Sequence, residues 1–306
     1  MEETAAFKRK TKDRARIVHS LRGSFQLKDI LAAVGMAKAT YMYWQKRFDT
    51  PSKDAPLIAL IHAIRKDHPN AGYRRLIPLI KDLGTLVGKS RLQRVMKENN
   101  LQCKAYTRRS RKYSSYKGTV GKVAKNVLAR RFKSTVPHEK ITTDTTEFAY
   151  LRVCGKGRYE CKKVYLDPFL DLYNNEVISY SVSDRPASEG VIRAEKEALR
   201  MTADCKKERI FHSDQGFLYQ MGAYRAHLAE AGAVQSMSRK GNCHDNASME
   251  SFFGIMKQEM YYGKTYHSRE ELKEAIEQYI AYYNERRPKA SLGYMSPVAY
   301  RLAHAE

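Results

Sequence analysis

From residue 141 onward, runs rich in β-branched and aromatic residues alternate with helical stretches, and that order limits the fold more than any other feature. KITTDTTEFAYL, KKVYLDPFLDLY and EVISYSVSD read as three strands, the last two joined through the turn signal Asn174-Asn175. SDRPASEGVIRAEKEALR reads as a helix with Pro186 near its start, ERIFHSD as a short strand, MGAYRAHLAEAG as a helix and AVQSMS as a further strand. A polar loop then leads into the helix of ASMESFFGIMKQEM. SREELKEAIEQYIAYYNERR follows, opened by a capping box of Ser268 and Glu271. The order β-β-β-α-β-α-β-α-α predicts an α/β domain over 141–306.

The first 140 residues have a different character. They hold 33 Lys and Arg against 10 Asp and Glu, so this segment accounts for the whole net charge of +23, and the rest of the chain is neutral. Such asymmetry points to a polyanionic partner for the first part. A basic surface serving solubility alone is the weaker reading, because so large a surplus destabilises a compact state by self-repulsion. Over 1–50, Ile30, Leu31, Val34, Met36, Tyr41 and Trp44 are spaced to pack two short helices around Gly35, a helix-turn-helix pattern. An αα-hairpin that only packs would look the same; the charge favours DNA. Over 51–101 the theme repeats. Pro78 is expected to kink or shift one helix, and Ser90 to cap the last. Arg91, Arg94 and Lys97 form a basic stripe on that last helix. GTLVGKS is not a phosphate-binding loop, because the glycine required five positions before Gly88 is Leu83.

Residues 102–140 hold 12 basic residues and one acid, with Tyr106, Tyr113 and Tyr116 interleaved. They read as a basic linker, unable to bury much surface, in which Arg108, Arg109, Arg111 and Lys112 meet backbone phosphates. A plain solvated linker is the bland alternative. The five cysteines are odd in number, widely spaced and without CxxC, which argues against a disulfide framework or zinc knuckle and fits a reducing cytosol. No apolar run approaches the ~18 residues of a membrane span, and MEETAAFKRKTKDR is not a signal peptide.

Three carboxylates fall where such a sheet ends its strands. Asp144 lies in the first strand, and Asp214 closes the fourth in FHSDQG, where Gly216 frees the turn. Glu250 starts the helix after the fifth, set among Met249, Phe252, Phe253 and Met256. A glutamate there is costly unless its charge is matched. Carboxylates crowded together repel unless a cation binds, and oxygen donors of this kind suit Mg²⁺ or Mn²⁺. Two such ions can activate a water or a 3′-hydroxyl and stabilise the leaving oxygen at a phosphodiester. Glu250, Gly254 and Lys257 share a helix face, so Lys257 is placed to meet a phosphate while Gly254 leaves room for a backbone. The preceding loop, with Arg239 and Lys240, faces DNA on this reading. Taken alone, Glu250 is better explained as a surface residue at a helix N-terminus; Asp144, Asp214 and Lys257 together tip the reading toward a metal site. Other acids compete: Asp167, Asp171 and Glu147 on strands, and Asp245 before the helix. Asp245 or Asn246 suits a cap, Asp171 the turn, and His212 a satisfied strand end, with a site role for it left open.

TDTTEF, HSDQGFLYQ, SMSRKGNCHDNASMESFFGIMK and YYNERRPKASLGYMSPVAYR together resemble the OrfB-type bacterial insertion-sequence transposases, whose catalytic core is retroviral-integrase-like. The resemblance runs from about residue 20 to 302. It implies an RNase H-like core, a mixed five-stranded sheet flanked by helices, preceded by all-α helix-turn-helix modules. It implies a triad of Asp144, Asp214 and Glu250 with Lys257 seven places on, and metal-dependent 3′-end cleavage and strand transfer at element ends. It further implies double-stranded DNA as partner, at least a dimer in the synaptic complex, an OrfA partner or frameshift fusion, and a cytoplasmic, nucleoid-associated site of action. Thr145, Ile141-Thr142 and His244 depart from the family's usual residues, and none of them removes a ligand. A DNA-binding regulator with an inactive core and a metal-dependent nuclease without strand transfer are the other classes; the intact carboxylates speak against the first.

Overall fold

The computed structural model describes residues 11–48, 53–106, 123–154 and 158–304. The chain divides into two compact units, residues 1–62 and 63–306.

In the first unit, α1 (Thr11–Leu21), α2 (Leu27–Val34) and α3 (Lys38–Gln45) enclose a small core of Ala15, Val18, Ile30, Leu31, Met36 and Tyr41. The pair around Gly35 forms as its apolar spacing predicts. Gly35 ends α2 in the left-handed region at φ 60°, and Met36 N–H closes back on Leu31 O at 3.0 Å. The extra helix α1 has only two buried residues, Ala15 and Val18, too sparse a stripe to stand out among its charges. Helix α4 (Ala55–Asp67) spans the division between the units.

The second unit opens with α5 (Tyr73–Asp82) and α6 (Lys89–Glu98), packed through Leu76, Ile80, Leu92, Val95 and Met96. Helix α5 includes Pro78; burial of Leu76 and Ile80 offsets one lost backbone bond near the helix start, where Arg74, the residue that bond would reach, is exposed. One expectation fails in the next helix. Gly88, not Ser90, is the N-cap of α6, so Ser90 sits inside its first turn. Residues 123–131 also depart from a solvated linker. They lie beside the last strand of the sheet, with Leu128 buried and Val127 and Leu128 N–H both donating to Ser236 Oγ at 3.0 Å. Arg108, Arg109, Arg111 and Lys112 lie outside the described residues.

The sheet comprises β1 (Lys140–Thr143), β2 (Thr146–Val153), β3 (Tyr159–Asp171), β4 (Val177–Ser183), β5 (Ile210–Ser213) and β6 (Val234–Met237). The first predicted strand is broken into β1 and β2 at Asp144-Thr145. Yet Thr143↔Phe169 and Thr146↔Leu166 lie on one unbroken register against β3, so the two halves occupy a single row. The sheet therefore has five rows: β4 antiparallel to β3, β3 antiparallel to β1/β2, then β5 and β6 parallel to β1.

Helices cover both faces, as a sheet with parallel strands requires. On one face, α9 (Ala247–Met256) and α10 (Arg269–Glu285) pack Met249, Phe252, Met256, Ile276 and Tyr283 against Phe148, Leu166 and Leu170. On the other, α7 (Ser188–Met201) and α8 (Gly222–Glu230) pack Val191, Ala198, Tyr224 and Leu228 against Ile141, Phe169 and Phe211. The Ser268 cap forms as predicted: its Oγ accepts from Glu271 N at 3.0 Å, and Glu271 reaches back to His267 N at 2.7 Å. A further short helix, α11 (Pro297–Ala303), is capped by Ser296. Among the described residues no helix is long and apolar enough to cross a membrane.

Candidate active site

The break between β1 and β2 has a cause on the neighbouring strand. Leu172 N–H donates to Lys140 O at 2.9 Å, so the even-numbered residues of β3 turn their backbone groups toward β1/β2. On this register Pro168 falls opposite Asp144, and proline has no N–H to offer. The ladder opens there. Asp144, half-buried, uses its Oδ1 to accept from Thr145 N at 2.8 Å.

Asp214 stands level with it. The parallel pairs of β1 and β5, Lys140↔Ile210 through Thr142↔His212, extend to Asp144 beside Asp214, one strand spacing (~4.8 Å) apart. Asp214 Oδ1 accepts from Gly216 N at 2.7 Å. A Cβ on Gly216 would stand 2.8 Å from that oxygen, whereas its φ is an ordinary −58°. Glycine is thus needed for room beside the carboxylate rather than for freedom in the turn.

Glu250 arrives from the other side. Asn246 is not a side-chain cap, as sequence suggested; it fastens α9 to β1. Its Oδ1 accepts from Thr142 Oγ1 at 2.5 Å and its Nδ2 donates to Thr143 O at 3.2 Å. Glu250 follows four residues later, one turn along the same side of the helix. Asp245 is not a cap either. Fully buried, it accepts from Arg239 Nε and Nη2 (both 2.9 Å), Arg130 Nε (2.8 Å) and Asn126 Nδ2 (3.0 Å). Those partners, Arg239 first, hold its carboxyl well below the usual range. An aspartate six residues after an arginine, just before a helix, was the available sequence signal for this clamp.

The electrostatics follow from the geometry. Burial pushes Asp144 well above the ordinary carboxylate range; the charges of Asp214, Glu250 and Asp167 add to that, against the Thr145 N–H. Burial raises Asp214 too, opposed by the Gly216 N–H. Asp167 is a buried support: it accepts from Thr145 Oγ1 at 2.5 Å and Ser181 Oγ at 3.1 Å. Tyr219, which sequence reasoning passed over, lies buried beneath the site with its hydroxyl 3.4 Å from Thr145 Oγ1. Lys257 opens a π-helical turn, Lys257–Tyr261, that continues α9. Its Nζ lies 5.3 Å from the centre of the Phe148 ring, and burial lowers its pKa against the pull of Glu147 and Asp144. Among the described residues, no three acidic, histidine or cysteine side chains already stand as a metal cage.

The other acids and the histidine are accounted for. Asp171 serves its turn, accepting from Tyr173 N and His138 N at 2.9 Å, and Glu147 pairs with Lys163. His212 is satisfied between Ser236 Oγ (2.8 Å) and Ser238 Oγ (3.1 Å), and burial holds its pKa down to about 4. Lys240, Arg91, Arg94 and Lys97 are exposed; Arg94 pairs with Glu98.

Residues 134–243 and 250–304 each match an integrase core domain family, and residues 51–110 match an HTH-like domain. The putative transposase InsK of insertion element IS150 from Escherichia coli K12 is 39% identical over 94% of this chain and 97% of its own length. The chain belongs to the insertion-sequence transposases. This transposase is an integrase-type polynucleotidyl transferase of the DDE class. A transposase-like protein of Haemophilus influenzae is 45% identical, over 70% of this chain and 93% of its own. Among solved structures, the HTLV-2 integrase catalytic core domain in complex with magnesium is 16% identical, with a TM-score of 0.38, over 55% of this chain and 98% of that one. That likeness is too distant to add to the assignment.

Proposed function

We propose that Asp144, Asp214 and Glu250 together hold divalent metal, Mg²⁺ or Mn²⁺ and most simply two ions, and that this chain cleaves the 3′ ends of its insertion sequence and joins them to target DNA. The observation that carries the reading is the level placement of Asp144 and Asp214 on adjacent parallel strands, with Glu250 one turn beyond the Asn246 anchor on β1. The donor set fits such an ion. It is all oxygen, both aspartates are raised by burial, Asp144 further by the charges of Asp214 and Glu250, and Glu250 is exposed on the adjoining helix. Bound metal supplies a nucleophilic hydroxyl at neutral pH and charge neutralisation at the phosphate. The protein's part is to fix the two aspartates through the Thr145 and Gly216 N–H groups, and to hold α9 against β1.

The DNA ends and the target are double-stranded, engaged by the basic residues before 141 together with Lys257, Arg239 and Lys240. At least two copies assemble at a synapse, with an OrfA product as partner or as a fused upstream segment, acting at the nucleoid. The test is cleavage of labelled duplexes carrying the element's own ends, with Mg²⁺ or Mn²⁺. Asp144→Asn, Asp214→Asn and Glu250→Gln should each abolish cutting while leaving end binding nearly intact. Wild-type turnover in any one variant removes that residue from the triad. Cutting without joining leaves a nuclease, and binding without cutting leaves a regulator.

A further inference from the structure

The segment ERRPKASLGYMSP, residues 285–297, is part of the family resemblance, yet none of it lies with the carboxylates. It doubles back through a 3₁₀ turn, Ala290–Leu292, with Gly293 and Tyr294 both at positive φ (62° and 68°) and Tyr294 N–H returning to Lys289 O at 2.9 Å. A tyrosine in the left-handed region is an uncommon conformation that its surroundings must hold. With the start of α5 and residues 103–106, this segment lines a groove of about 650 Å³, and Ser251 and Ile255 of α9 form part of the same wall.

The groove's chemistry is one-sided. Arg74, Arg75, Arg287 and Lys289 line it, and among the described residues no aspartate or glutamate does. Arg75 and Arg287 are held from beneath by buried Glu259, at 2.9 and 2.8 Å, while Arg75 Nη1 is buried without a partner. Lys289 Nζ donates to the neutral Tyr283 hydroxyl at 2.9 Å; burial and the neighbouring Arg287 hold its pKa down to about 7. An ammonium in such a place lacks an anion, and Tyr73, Tyr106 and Tyr294 add aromatic surface to the same walls. Guanidinium, ammonium and tyrosine rings along a groove suit a phosphodiester chain.

We propose that this groove holds the phosphate backbone of the DNA strand where it leaves the carboxylate site along the flank of α9. The proposal rests on the catalytic reading given above. Glu250 and Ser251 are consecutive residues, about 100° apart around one helix, so the metal site and the groove open on neighbouring flanks of the same cylinder, ~10 Å across with its side chains. A strand cut at the first flank continues over the second. The HTH-like domain, through α5, and the catalytic core then grip one DNA end jointly.

The experiment uses the full chain carrying Asp214→Asn, so that bound DNA is not cut. The probe is a labelled duplex bearing the element's end. Arg74→Ala combined with Lys289→Gln should weaken binding by about tenfold at low salt and flatten the salt dependence by roughly two phosphates' worth of slope. A second arm avoids dependence on folding of that variant. Ser291→Cys, at an exposed position lining the groove, should crosslink to bromoacetyl-modified phosphorothioates near the end, above the level given by the native cysteines. An unchanged salt slope with no crosslink above that level overturns the groove, even where the wild type cleaves. Crosslinks between protein copies in place of DNA overturn it as well. A wild type that never cleaves, with the crosslink intact, sinks the catalytic reading and leaves the groove standing.

Discussion

Arg287→Ala should be the most damaging single substitution outside the carboxylate site. Glu259 lies in the π turn after α9, with its side chain 1% exposed. It accepts from Arg287 Nε at 2.9 Å and Nη2 at 2.8 Å, from Arg75 Nη2 at 2.9 Å, from Tyr279 OH at 3.0 Å and from the Tyr106 hydroxyl. One carboxylate thereby ties the first residues of α5 and the Tyr106 segment to α10 and the end of α9. Removing Arg287 leaves a buried charge with Arg75 as its one remaining cation among the described residues. Breaking a buried pair costs about 3–5 kcal/mol, and the surviving donors place this case near the lower figure. At ~2–4 °C per kcal/mol for a unit of this size, Tm should fall by about 6–12 °C. Arg287→Met combined with Glu259→Met should recover much of that loss, because replacing both partners removes the stranded charge. The pH dependence has a definite sign. Burial alone would raise Glu259, but Arg287 and Arg75 more than reverse it, so its folded pKa lies below the ordinary glutamate value. The stabilisation is complete above that value and is lost as pH falls through the folded pKa, so wild type and Arg287→Ala should converge in acid. The assay is thermal unfolding followed by circular dichroism between neutral and acid pH. A fall in Tm below about 2 °C at neutral pH, or a gap between the two proteins that widens in acid, would refute the argument.

Three further outcomes follow from the same structure. Asp144 and Asp214 are both raised by burial, so the metal-free protein should gain stability as pH falls through their folded pKa values. Asp214→Asn should flatten that dependence, and Mg²⁺ or Mn²⁺ should raise Tm at neutral pH by mass action; a Tm indifferent to both ions would count against the metal site. The surplus of basic charge before residue 141 predicts that log affinity of the full chain for duplex DNA falls steeply with log salt, by about 0.9 per phosphate neutralised, measured by fluorescence anisotropy; salt-independent binding would overturn this. Lys257→Ala should weaken engagement of the terminal base pairs and lower cleavage with little change in metal affinity, and unchanged cleavage, with no crosslink from position 257 to the terminal nucleotides, would leave Lys257 as packing on Phe148 alone.

Much of this fold is written in local pattern. The alternation of β-branched runs with apolar stripes gives the strand and helix order, and the Ser268 box marks a helix start that the structure keeps. What local pattern could not carry lies in partners distant along the chain. Residues 123–131 read as linker because the segment around them, 102–140, is strongly basic and shows little apolar periodicity. Their place beside β6 depends on Ser236 and Asp245, which receive Val127, Leu128, Asn126 and Arg130. Asp245 and Asn246 read as caps because short polar residues before a helix are usually caps. Here their oxygens turn instead to two arginines and to β1. Helix α5 survives its proline because burial decides, and burial is not a property of five neighbouring residues.

The carboxylates illustrate the same division most sharply. Their residue types and order are visible in the sequence, but what sets them apart from other strand-end acids is register. Pro168, within YLDPFLDLY, has no evident meaning until β3 is laid against β1/β2. It then removes the one N–H that would have bonded Asp144's carbonyl, and the strand opens at that residue. Gly216 works at the same site by a different omission, since any side chain there would collide with the Asp214 carboxylate. Each aspartate is thus placed by what a neighbour lacks, a backbone donor in one case and a Cβ in the other. Fastening α9 to the same strand through Asn246 then brings Glu250 in from outside the sheet, so that the third acid depends on β1 as much as the first.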